Sequence, residues 1–213
     1  MDAEKKALVF DVVCAGFAPA ELDGWNALTG FSAWSEYLDA CETIANDECS
    51  VLTDVLASGE LMALRHPLGF EEVRAFAARH FTGGLPQSAV PVESLYRAGA
   101  SGVPAYDGIS ARYMGDLISS MELDVPERLV STPDHVAVEA GLAASLYRSD
   151  ESLADSFVSE RFTWLADYRL ALVALHDDDR MFFCALIDVV LALVECVRSR
   201  KHEAISEINL ERK

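Results

Sequence analysis

The chain has 213 residues, 51% of them hydrophobic and 24% charged. That is enough apolar material to bury about 70% of the unfolded surface, and too much for a disordered tail, a collagenous repeat or a fibre. Lys and Arg number 17 against 35 Asp and Glu, a net charge of −18, which argues against nucleic acid as a partner and favours cationic ligands.

The acid begins early. Residues 1–60 hold twelve carboxylates and only two basic side chains, Lys5 and Lys6, which reads either as a solvated helical face or as a collector for a basic peptide or subunit. Met1-Asp2-Ala3-Glu4 is acidic where a secretory signal is basic, so no export signal is expected here. A first helix is expected over 2–16 and a second from near Pro19 through Trp25. Helices over 32–44 and 49–64 follow, the latter ended by Pro67. Residues 70–81 are amphipathic, with Val73, Phe76, Ala77, His80 and Phe81 on one side and Gly83-Gly84 as the stop.

Residues 82–91 contain two glycines and two prolines and read as a loop. A short helix over 91–97 and a second Gly/Ser/Pro-rich loop over 98–106 come next. Asp107 is a candidate cap for a helix reaching Met121, which Val125-Pro126 closes. Three long apolar helices are expected over 133–148, 151–175 and 178–200, the last two separated by Asp177-Asp178-Asp179. With no β-branched alternation bounded by turns, the class is all-α, about eight to ten helices in a single globular domain. Its N-terminal half is 1–81, its hinge 82–106 and its C-terminal half 107–200, with a frayed tail at 201–213.

The most apolar stretch, Met181 to Val197, carries Asp188 and Glu195, so it reads as a core helix and predicts no stable membrane insertion. Five cysteines at 14, 41, 49, 184 and 196 show no C-x-x-C spacing and read as small buried hydrophobes kept reduced.

The sharpest local signal is Thr132-Pro133-Asp134-His135 leading into a helix. Thr132 suits an N-cap, Pro133 a first helical position and Asp134 the positive end of the helix dipole. His135 and Glu139 stand one turn apart on the stripe of Leu142 and Leu146, which a helix normally buries. Two polar groups there need partners. They pair with each other, line a groove, or share a metal, but no H-E-x-x-H or comparable ligand set exists. The second segment is Pro91-Val92-Glu93-Ser94-Leu95-Tyr96-Arg97, following the longest loop, where Tyr96 offers a packed ring and an available hydroxyl. No G-x-G-x-x-G, Walker loop or G-x-S-x-G elbow is present. Asp177-Asp178-Asp179 lacks the glycine and distal glutamate of a calcium loop.

These two segments in this order, Pro91-Val92-Glu93-Ser94-Leu95-Tyr96 and then Pro133-Asp134-His135 with Glu139, resemble the E-S-x-Y and P-D-H-x-x-x-E elements of the TorD/DmsD family of redox-enzyme maturation chaperones. Phe157, Phe162, Trp164 and Leu165 are similar to the aromatic segment that follows in the family, and Phe182-Phe183 to the helix beyond it. The resemblance spans about Phe70 to Val197. It implies a TorD-like helical fold, cytoplasmic residence, no catalysis and no cofactor of its own. It also implies binding to the N-terminal leader, often twin-arginine, and to the catalytic subunit of a molybdenum oxidoreductase while the client's cofactor is inserted, as monomer or homodimer. Glu93, Ser94, Tyr96, Pro133, Asp134, His135 and Glu139 match the positions associated with the peptide. A cationic stretch followed by an apolar one would suit carboxylates beside an apolar wall. Two other functions remain open: a metal-dependent hydrolase built on His135 and Glu139, and a structural subunit that docks through its acidic N-terminal third.

Overall fold

The computed structural model describes residues 3–18, 21–83, 87–97 and 105–211. Among them the apolar stripes form ten α-helices: α1 (Ala3–Phe17), α2 (Leu22–Thr29), α3 (Phe31–Glu48), α4 (Ser50–Ala57), α5 (Phe70–His80), α6 (Ile109–Ser120), α7 (Val136–Ser149), α8 (Glu151–Arg161), α9 (Leu165–Val173) and α10 (Arg180–Glu211). No strand occurs among the described residues; the one β-type pairing is an isolated antiparallel bridge between Val92 and His135. The expected all-α class is therefore the observed one.

α10 is the axis of the core. Phe182, Phe183, Leu186, Ile187, Val189, Val190 and Leu193 are all buried, which is what an apolar run on every side of a helix requires. Its one deep charge, Asp188, is held by the Arg169 guanidinium, whose Nη2 donates at 2.9 Å. Phe183 gathers Phe76 (4.4 Å between centroids), Phe81 (5.2 Å) and Phe17 (5.4 Å) into one aromatic knot joining α1, α5 and α10. α1 also packs along the full face of α7. Lys6 lies wholly buried in that region, its Nζ 3.0 Å from Glu151 and 3.4 Å from Asp155, so part of the N-terminal charge is internal wiring. Arg148 likewise ties Glu4 and Asp11 to α7.

Several boundaries differ from the sequence expectation. The helix expected over 49–64 breaks at Ser58, whose extended backbone (φ −71°, ψ 149°) starts a 3-10 turn over Gly59–Arg65; Trp34 Nε1 donates to Leu64 O at 2.6 Å and fixes that turn. Residues 151–175 are interrupted by a 3-10 turn at Phe162–Trp164, whose tighter winding shifts the helix phase so that Phe162 and Trp164 both point inward. The last helix runs past its expected end at residue 200. α10 continues to Glu211, and Lys201 Nζ donates to Ser156 and Ser159 on α8. Gly108, not Asp107, precedes α6. Pro19, and residues 84–86 and 98–104 of the expected hinge, lie outside the described residues. Within the described part, α5 ends at His80 with Phe81 as its C-cap, and Gly83, two residues further on, has φ +105°, a conformation that only glycine adopts cheaply.

The cysteine reading is corrected. Cys49 and Cys196 form a disulfide, Cα–Cα 5.6 Å, that fastens the start of α4 to α10 across 147 residues. Cys14, Cys41 and Cys184 are in no disulfide. Helical patterning could not show this pair, because both cysteines occupy ordinary buried positions and only tertiary packing brings them together. The Asp177 turn is anchored to the rest of the fold. Its carboxylate accepts from Arg79 Nη2 at 2.8 Å and pairs with His80 Nε2 at 2.9 Å, latching the α9–α10 turn to α5. These partners outweigh its partial burial and hold its pKa below the ordinary value.

Candidate functional site

The two sequence segments singled out above meet in space and lock together. Glu93 N donates to Asp134 O (3.0 Å) and Val136 N to Pro91 O (2.9 Å), on either side of the Val92–His135 bridge. These pairings spend the backbone that a helix over 91–97 would need, so only a 3-10 turn at Glu93–Leu95 forms. The Asp134 carboxylate accepts from both Ser94 N (2.8 Å) and Ser94 Oγ, and Ser94 Oγ in turn accepts from Ala111 N at the start of α6 (3.3 Å). Asp134 thus clamps the first segment instead of capping its own helix.

The cap of α7 is His135, three residues later than Thr132. Its Nδ1 accepts from Ala137 N at 3.1 Å. Burial, with Arg128 nearby, lowers its pKa to about 4, so the ring is neutral and keeps the lone pair that capping uses. Pro133 lies in the turn before α7, half-buried and facing Gly115 of α6.

Glu93 and Glu139 are fully buried, and two arginines from different elements hold them. Arg97 Nε lies 2.8 Å from Glu93 Oε1, while Arg161 pairs with Glu93 and reaches Glu139 Oε1 at 3.5 Å. Glu139 Oε2 accepts from Trp164 Nε1 at 3.0 Å. Burial drives the Glu139 pKa well up, opposed by the Trp164 hydrogen bond, and burial lowers that of Arg161 to about 10. The Trp164 ring stacks on Tyr96 (5.6 Å), and Tyr168 meets Tyr96 edge-on (5.4 Å). The Tyr96 hydroxyl and Asp134 Oδ1 are buried with no hydrogen-bond partner among the described residues. Arg161 also lies over the half-exposed ring of Tyr113 on α6, 4.8 Å from its centroid.

All seven sequence-singled residues therefore belong to one junction, and five of them, Glu93, Ser94, Asp134, His135 and Glu139, are buried in it. Sequence reasoning missed Arg161 and Arg97 as their counterions and Trp164 as a hydrogen-bond donor. One signal was available: two carboxylates on core-facing positions require cations, and Arg161 ends the helix that precedes the aromatic segment. Among the described residues no three His, Cys, Asp or Glu side chains gather as a metal would need. The groups the metal reading relies on are otherwise engaged, His135 Nδ1 in capping and Glu139 with Trp164 and Arg161.

Beside this junction, along the neighbouring face of α7, the surface opens into a cleft of about 630 Å³, between α1, α2, residues 118–129 and α7. Its volume is in the range of about 300–1,000 Å³ typical of ligand sites. Trp25, Leu129 and Leu142 form its buried floor. A second cleft, about 680 Å³ between α1 and α3, is bordered by Glu4, Glu36, Asp39 and Arg148, with Phe31 91% exposed at its edge.

No family model matches the chain, and the comparisons find no similar curated protein and no similar solved structure. The fold and the junction together define a class only as far as an all-α protein with a buried, two-segment ionic and aromatic junction. Among the described residues no helix is long and apolar enough to cross a membrane.

Proposed function

We propose that this protein is a non-enzymatic maturation chaperone of the TorD/DmsD type, which binds the N-terminal leader of a molybdopterin-dependent oxidoreductase in the cytoplasm while the client's cofactor is inserted. The observation that carries the reading is the convergence of the two resembling elements. Ser94 and Asp134, 40 residues apart, share direct hydrogen bonds, and Tyr96 and Glu139 are joined through Trp164. Elements that resemble one family in order along the chain here form one physical unit.

On this reading Glu93, Ser94, Tyr96, Pro133, Asp134, His135 and Glu139 serve leader binding as a frame. The buried carboxylates and their arginines fix where α7 begins and how the Pro91–Arg97 segment lies against it, so that the surfaces around them are presented in one arrangement. A net charge of −18 attracts a basic leader over distance and speeds its encounter. Co-expression tests the reading directly. A reporter carrying a twin-arginine leader should co-purify with this chain, and the same reporter without the leader should not. Equal recovery of both, or of neither, contradicts it.

A further inference from the structure

The apolar cleft along α7 is lined in part by small residues. Ala15 of α1, Ala18 just beyond its end, Gly24 of α2 and Gly141 of α7 supply little side chain to fill the space. A Cβ built on Gly24 would meet nothing within 4 Å, and one on Gly141 only Cys14 Sγ at 3.5 Å. Leu28, Leu123, Val125 and Val138 stand half-buried around the opening. Apolar side chains left part-solvated around a concave floor are a surface that gains by being covered.

The charge around the opening selects what covers it. Asp11, Glu21 and Asp124 border it, with Arg128 the single basic residue in the lining. Arg128 Nη2 donates to Ala18 O at 2.7 Å, so that guanidinium is turned to the rim backbone. Asp11 is engaged by Arg148. Glu21 and Asp124 are exposed and have no ion pair among the described residues. An anionic or purely neutral occupant leaves those two carboxylates uncompensated, whereas an apolar segment with adjoining Arg or Lys meets both the floor and the rim.

We propose that this cleft between α1, α2 and α7 seats the apolar stretch of the leader, with the leader's basic residues at Glu21 and Asp124. The inference rests on the chaperone reading and moves the contact surface away from the junction itself. The junction's carboxylates are spent on Arg97, Arg161, Ser94 and Trp164 and act by holding α7, which is one wall of the cleft.

The test uses the full chain and a synthetic peptide of two adjacent arginines followed by an alternating Leu/Ala run, titrated by fluorescence anisotropy. Val138→Arg, which places bulk and like charge in the opening, should weaken binding tenfold or more. The isosteric pair Glu21→Gln/Asp124→Asn should weaken it several-fold and flatten its salt dependence. Tyr113→Ala, on the exposed side of the junction, should leave affinity unchanged. A measurement on the unmodified protein guards against a folding defect in the variants. Cys14 lines the cleft, while Cys41 and Cys184 are buried and Cys49 is bonded to Cys196, so the peptide should slow maleimide labelling of Cys14 several-fold. Loss of binding in Tyr113→Ala with the cleft variants and the Cys14 rate unchanged overturns this placement and leaves the chaperone reading standing. No binding of the peptide to the unmodified chain overturns both.

Discussion

His135 shows how one side chain can look functional in sequence and have its chemistry determined by position. Its Nδ1 is the cap acceptor of α7, and burial keeps the ring neutral down to about pH 4. In the unfolded chain the ring protonates near its ordinary 6.5, so the unfolded state takes up the proton first as pH falls. The stability that neutral His135 contributes is present above 6.5 and is lost between 6.5 and about 4. By pH 5 the loss is about 2 kcal/mol. Asp134 and Glu139 act in the opposite sense. Burial raises both pKa values, so their contribution is present at low pH and declines as pH rises through the shifted values. Comparing the wild type with His135→Asn, which keeps a cap acceptor, cancels those two terms. Urea midpoints measured at pH 7 and pH 5 should fall further for the wild type than for His135→Asn, and equal falls would show that His135 is not the group responsible. The burial of His135 and Glu139 was legible from their place on the stripe of Leu142 and Leu146. The Ser94–Asp134 clamp was not, because a contact across 40 residues leaves no local spacing to read.

At the level of elements, periodicity located most helices but not their interruptions. The breaks at Ser58 and at Phe162–Trp164 are imposed by tertiary demands: Trp34 needs the Leu64 carbonyl, and Glu139 needs the Trp164 indole. Such demands are invisible to propensity. The same limit hid the Cys49–Cys196 bond, the strongest element-scale correction to the sequence reading. It closes a loop of 147 residues between α4 and α10, for which chain entropy gives about 5 kcal/mol and measured disulfides more often about 2–4 kcal/mol. Denaturation with and without dithiothreitol checks this. Reductant should lower the midpoint of the wild type and leave a Cys49→Ala/Cys196→Ala variant unmoved. A wild type indifferent to reductant would mean that the bond adds nothing to folding.

For the whole molecule, the net charge of −18 located no surface. The all-α architecture followed from helical periodicity along nearly the entire chain, and the structure agrees. The acidic N-terminal third divides into two parts. Lys6, Glu4 and Asp11 are engaged with α7 and α8, whereas Glu21, Glu36 and Asp39 remain at the mouths of clefts. Part of that charge therefore stabilises the fold and part is available to a ligand, a split that counting residues could not reveal.

The central claim is that the junction of residues 91–97 and 133–139 frames a protein that grips a basic, apolar leader. Isothermal titration calorimetry of the purified chain with the leader of a molybdenum oxidoreductase measures it most directly. The account predicts saturable one-to-one binding that weakens about tenfold between low and high salt, together with a negative heat-capacity change from apolar burial. An absence of saturable binding, or equal affinity for a leader whose arginines are replaced by glutamates, would contradict it.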